Sequence, residues 1–197
     1  MARKLAVEST ISRKNKKIKE ANVEVNIFLD EDDNTIVEIE IDQAIEPYMR
    51  HRLSGIRLYD PLATYKNIFR KKVLEKLEEL NVEIPVNEEM YVISDLCLTC
   101  EIPKSYSRKK KVLAYKNEYK NNKKPDVDNV AKTIYDSLEK IFFWNDAQII
   151  EERFRKEYDV EEHTSISFAL CKQPDKSGRL TNEELKYYKN NFESEGK

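Results

Sequence analysis

The 197-residue chain is 40% apolar and 37% charged, enough apolar material for one cored domain with short attachments. Three glycines and six prolines exclude a collagenous or linker-dominated chain, and a formal charge of −2 excludes a uniformly basic binder. No apolar run reaches membrane-spanning length, and the start MARKLAVESTISRKNKKIK lacks the apolar block of a secretory leader, so no membrane partner and a cytoplasmic location are expected.

Residues 12–19, SRKNKKIK, hold five cations and no acid, and residues 1–21 read as a flexible basic N-terminal arm. Apolar and β-branched residues over 22–29 and 35–42 flank the turn-like DEDDN, which predicts a hairpin. Pro47 and Gly55 interrupt the next stretch, and residues 43–60 read as mostly irregular. From Leu62 to Leu80 the apolar residues Leu62, Tyr65, Phe69, Val73 and Leu77 recur at helical spacing, with Pro61 suited to the first turn.

Tyr91–Ile102 carries apolar residues at both parities and reads as a strand near the sheet centre, ended by Pro103. A helix is expected from about Ser107, a second from Val127 to Phe142, then strands near 148–158 and 164–171. Asp128 is the expected N-cap of the second helix, whose stripe is Val130, Ile134, Leu138 and Ile141. Thr181 and Glu184 form a capping-box pattern for a final helix. The expected organisation is an arm over 1–21, an α+β domain over 22–172 and a helical C-terminal extension over 173–197.

Three cysteines cannot all pair within one chain. Cys97 and Cys100 stand three apart in a strand, where side chains alternate between faces, so buried thiols are the expectation. His51 and His163 have no ligand constellation near them in sequence.

The chemistry concentrates in KKPDVDNVAKTIYDSLEKIFFWNDAQI, Lys123–Ile149. Asp126 and Asp128 fall at a helix mouth, Lys132 stands one turn beyond Asp128, and Asp146 follows the helix. Oxygen donors of this kind suit magnesium or manganese, with phosphate oxygens completing the shell. Ordinary caps and turns explain the same aspartates equally well. Lys132 either faces a phosphate or bridges Asp128 or Asp136 along the helix, and Asp136, another turn along, is placed to orient Lys132 rather than to bind metal.

Ahead of this segment, residues 104–124 hold nine Lys or Arg and one Glu, with tyrosines interspersed. Lys104, Arg108, Lys109, Lys110, Lys111, Lys123 and Lys124 are candidate phosphate contacts, and Tyr106 is a candidate for stacking at an opened base. A solvated lysine-rich face is the alternative.

The chain resembles the RusA-type Holliday junction endodeoxyribonuclease family. The resemblance rests on KPDVDN, Lys132, IYDSL and the DAQI beginning at Asp146, with PKSYSRKKK and LYDPLATYK as further similar segments, over about residues 35–160. It implies a small α+β homodimer with a mixed sheet packed by helices, which binds four-way DNA junctions and makes paired phosphodiester cuts with magnesium or manganese. It also implies that Asp126, Asp128 and Asp146 form the metal cluster and that Lys132 is the catalytic lysine. Asn145 stands where the family commonly has a further Asp. A branched-DNA-binding module without catalysis and a protein-interaction domain are the competing functions.

Overall fold

Alternation of apolar and polar residues sorts the sheet into one buried and one wet face. The computed structural model describes residues 2–54, 56–84, 86–173, 181, 183, 186 and 187. Strands β1 (Val23–Leu29) and β2 (Thr35–Ile41) form the expected hairpin, in register from Val23 opposite Ile41 to Leu29 opposite Thr35. Beyond them come β3 (Arg52–Ser54), β4 (Arg57–Tyr59), β5 (Met90–Glu101), β6 (Ile149–Asp159) and β7 (His163–Lys172). The main sheet has the order β1-β2-β7-β5-β6, antiparallel except for the parallel pair β5 and β6, and β6 is an edge. β5 is paired on both sides, as its apolar residues at both parities predict.

Val37 and Ile39 of β2, Phe168 and Ile166 of β7, and Val92, Leu96 and Leu98 of β5 are buried on one face. Glu38 opposite Ser167 and Glu40 opposite Ser165 occupy the other. Two helices cover the apolar face: α2 (Ala63–Leu80), through Tyr65, Phe69, Val73 and Leu77, and α4 (Val127–Leu138), through Val130, Ile134 and Leu138. Full burial of one such Leu, Ile or Phe side chain contributes about 1.5–3 kcal/mol, so these stripes fix α4 against the sheet. Tyr135 adds a polar tie, donating to Ser94 Oγ at 3.0 Å. The guanidinium of Arg70 reaches the carbonyls of Ser137 and Glu139, satisfying the end of α4.

Four sequence expectations change. The first twenty residues are not a loose arm: Ala2–Glu20 form helix α1, anchored by the fully buried Ile18 and by a hydrogen bond from Lys72 to the Ala21 carbonyl at 2.8 Å. The N-cap of α4 is Asp126, and Asp128 lies within the first turn. α4 also stops at Leu138, where Glu139 is extended and Lys140 takes a positive φ of 65°. Ile141 and Phe142 remain buried beyond it, so their spacing imitates a continued helical stripe while a turn delivers them to the core.

Residues 43–60, expected as irregular, contain the short antiparallel pair β3 and β4. Helix α3 (Arg108–Tyr115) starts as predicted, with the Ser107 side chain accepting from the Lys110 amide. Glu184 of the expected capping box, and most of the C-terminal extension, lie outside the described residues. All three cysteines are free thiols, and burial pushes the pKa of each up. Among the described residues no helix is long and apolar enough to cross a membrane.

Candidate active site

The chain enters α4 through a cis Lys124–Pro125 bond, and Asp126 then holds the extended geometry of a capping residue. Its carboxylate makes no capping hydrogen bond, and both it and Asp128 are exposed. The positive end of the helix dipole favours two ionised carboxylates at this mouth. Lys156, projecting from β6, donates to the carbonyls of Lys123 and Pro125, the latter at 2.7 Å, and so holds the entry loop to the sheet.

A second loop closes the other side. The Tyr48 amide donates to the Asn129 carbonyl at 2.7 Å, binding the 43–51 segment to the first turn of α4. The Tyr48 ring then lies 5.2 Å from Lys132 Nζ and 5.9 Å from Lys66 Nζ, within cation–π range of both. Its hydroxyl meets His51 Nδ1 at 3.1 Å. The sequence points neither to Tyr48 nor to a constellation around His51, because the segment has no periodicity and its partner lies far along the chain.

Lys132 and Lys66 are used differently. Lys66 is half-buried and bonded to Asp60 at 2.5 Å and Asp136 at 2.9 Å. Burial alone would lower its pKa, but the hydrogen bonds to Asp60 and Asp136 outweigh that and hold it above the ordinary lysine value. Asp136 therefore serves Lys66. The ammonium of Lys132 is exposed and has no ion-pair partner among the described residues. A cavity of about 510 Å³ opens at this helix mouth, with Tyr48, Lys124, Asp126 and Asn129 in its wall.

Asp146 sits elsewhere. It begins a single 3-10 turn, Asp146–Gln148, capped by Asn145, whose Oδ1 accepts from the Ala147 amide at 3.0 Å. The departure at Asn145 thus has a structural use. The Gln148 side chain donates to the carbonyls of Asn87 and Met90, both at 2.8 Å, which fixes this turn at the beginning of β5. Asp126 lines the same cavity as Cys100 and Glu101, at the end of β5. The stretch of β5 from Val92 to Cys100 spans roughly 26 Å at the rise of a strand. α4, about 18 Å long at the rise of a helix, returns from that end toward the start of β5, which puts Asp146 at the other end of the β5–α4–β6 crossover from Asp126 and Asp128. Among the described residues no three His, Cys, Asp or Glu side chains form a metal-holding group.

The basic segment divides as well. Lys104, Arg108, Lys109, Lys123 and Lys124 are exposed, while Lys110 and Lys111 are half-buried. Lys110 Nζ lies 3.7 Å from the Tyr106 ring centroid and 4.4 Å from that of Tyr119, and the Tyr119 hydroxyl holds its pKa up. Tyr106 packs edgewise on Tyr119 and Tyr158, and the hydroxyls of Tyr106 and Tyr158 meet at 3.1 Å. That bond lowers the pKa of Tyr106, whereas burial raises that of Tyr158. These contacts fasten α3 to β6.

Fold and site define a small mixed α+β domain with an acidic helix mouth, an exposed lysine one turn inside it and a lysine-rich flank. The endodeoxyribonuclease RusA family matches residues 38–168, two thirds of the chain, and the chain belongs to that family. Its fold is consistent with the family's, and the membership is consistent with a nuclease-type enzyme acting on branched DNA. No curated protein matches the sequence.

Proposed function

We propose that the chain is a metal-dependent, structure-selective endodeoxyribonuclease that resolves Holliday junctions by paired symmetric cuts and acts as a homodimer. The observation that carries this reading is the exposed pair Asp126 and Asp128 beside Lys132, which has no ion-pair partner among the described residues, in a chain of the RusA family. Magnesium is commonly held by one or two carboxylates with water and phosphate oxygens in the remaining positions, and this donor set fits it or manganese. Asp126 and Asp128 would hold the ion, which supplies Lewis-acid polarisation and a water of lowered pKa when bound.

Lys132 then takes the non-bridging oxygens of the scissile phosphate, with its stem steadied by Tyr48. Because Asp146 stands at the far end of the crossover, a second copy is what supplies it to the same centre. A two-fold dimer makes two such centres, which suits symmetric incision of a four-way junction. Lys104, Arg108, Lys109, Lys111, Lys123 and Lys124 hold phosphates on the flank. They set register and affinity without reading sequence.

The absence of a three-carboxylate group among the described residues favours, as a second reading, a branched-DNA-binding module without catalysis. Labelled four-way junctions and matched duplexes, incubated with wild type or D128N in magnesium or EDTA and run on denaturing gels, separate the two. Symmetric, magnesium-dependent cuts confined to the junction and lost in D128N are expected. Junction binding by a folded wild type with no cuts in magnesium or manganese sinks the catalytic assignment.

A further inference from the structure

Helix α1 precedes the family match at residues 38–168, yet it is built into the wall of the same cleft. Lys17 lines the cavity together with Lys124 and Asp126. Its ammonium is paired with Glu162, and Lys14, on the neighbouring stripe, bonds Glu46 at 2.5 Å. With Ile18 in the core, these contacts fix which way the helix faces. Arg13 is one turn before Lys17 on the same stripe, exposed and without an ion-pair partner among the described residues.

On this basis we infer that α1 is a nucleic-acid contact element of the site: Arg13 and Lys17 extend the phosphate-binding margin that Lys123 and Lys124 begin on the opposite lip. The occupant is a DNA backbone, because the exposed side chains of α1 among the described residues are Thr10, Ser12, Arg13, Lys16, Lys17, Lys19 and Glu20, four cations to one acid with none apolar, and Lys124 stands in the wall of the same cavity as Lys17. Residues 13–19 hold five cations and no acid, a composition suited to phosphate rather than to an acidic-and-apolar protein surface. Glu162 keeps Lys17 stretched along the cleft until phosphate competes for it. The inference rests on the proposed branched-DNA substrate and adds to it a second lip, made by a helix outside the matched region.

The test is binding, measured without cleavage. Full-length wild type, the double variant R13Q/K17Q and E162Q are titrated against a fluorescent four-way junction in EDTA at several salt concentrations, with thermal melts confirming the fold. Each phosphate contact contributes about 0.9 to the slope of log affinity against log salt, so the double variant should lose roughly 1.8 from that slope. Its affinity at 0.1 M salt should fall roughly tenfold or more. E162Q, which keeps the Lys17 charge and removes only the bridge, should bind at least as tightly as wild type.

A folded double variant with the wild-type slope overturns the inference while leaving the DNA reading intact. A double variant that binds more tightly also overturns it, because α1 would then obstruct the cleft. Weakening by E162Q equal to that of the double variant overturns it too, by assigning the effect to the bridge. A wild type that binds no DNA overturns the substrate reading and this inference together.

Discussion

The Lys66 ammonium donates to Asp136 Oδ2 at 2.9 Å, joining two helices across 70 residues of sequence. Asp60, which holds the same ammonium, also accepts from the Leu62 amide at 2.8 Å and so shapes the start of α2. One lysine thereby sets the distance between α2 and the helix that carries the acidic mouth. Replacing it by methionine, or Asp136 by asparagine, should cost about 1.5–3 kcal/mol of unfolding free energy, the range for hydrogen bonds to charged groups. Urea denaturation at neutral pH reads this directly.

The same pair predicts an alkaline dependence. The pKa of Lys66 is raised on folding above its ordinary 10.5, so its stabilisation is complete below that value and is lost as pH rises through the folded one. Wild type should therefore lose stability above about pH 10.5 relative to K66M, and the gap between them should narrow. A gap that stays constant to pH 12 would remove the ion pair from the account.

Asp126 separates stability from chemistry. Its side chain caps nothing and is exposed, so D126N should change unfolding free energy by less than about 0.5 kcal/mol. Junction cleavage in magnesium should still fall by roughly 100-fold or more, the scale on which one charge-stabilising group acts. Melting curves and single-turnover rates on the same preparation compare the two effects.

Tyr48 steadies Lys132 through its ring. Y48F should keep nearly all the cleavage rate, whereas Y48A should lose roughly 3- to 30-fold, the span of a cation–π contact of about 0.5–2 kcal/mol. A structural collapse would appear as a lowered melting temperature in Y48A; an effect on chemistry would appear in the single-turnover rate at saturating enzyme. Equal losses in Y48F and Y48A would shift the role to the Tyr48–His51 hydrogen bond.

Lys109 and Lys110 are adjacent and should behave oppositely. Lys109 is exposed, so K109Q should weaken junction binding and lower its salt slope by about 0.9 without moving the melting temperature. Lys110 is committed to Tyr106 and Tyr119, so K110Q should lower the melting temperature and leave the salt slope near wild type. Anisotropy titrations and melting curves on both variants check the contrast.

Asp126 and Asp146 belong to opposite ends of the β5–α4–β6 crossover, which makes complementation a direct readout. D126N and D146N should each be inactive alone. Mixed and allowed to exchange, they should regain about a quarter of the wild-type sites, since half the dimers are mixed and each carries one intact centre. The products should be single nicks. No recovery after verified exchange would argue that the two residues do not share a centre.

What the sequence disclosed followed its periodicities. The β1–β2 hairpin, the α2 stripe of Tyr65, Phe69, Val73 and Leu77, and the interior position of β5 each repeat one signal over several residues. α1 escaped because its contribution to the described core rests on Ile18 amid a run of lysines, so tertiary burial and not pattern decides it. The end of α4 escaped because a turn delivers Ile141 and Phe142 to the positions a continued helix would have used. At the candidate site, the placing of Asp126, Asp128 and Lys132 around one helix mouth was legible from local spacing. Tyr48 and Lys66 were not, since what they touch is set by the packing of α2 and α4.

A carboxylate pair at one end of the β5–α4–β6 crossover, with the third at the other end, would under the proposed function also govern when the chain cuts. Under the proposed dimeric reading, a single folded copy lacks a complete centre, and intact duplex meets an inert protein whenever copies are scarce. Under the dimeric reading, incision at high dilution scales with the square of chain concentration and becomes proportional to it only once pairing saturates. Copy number then acts as the safety catch, and the crossover between Asp126 and Asp146 is the part that sets it.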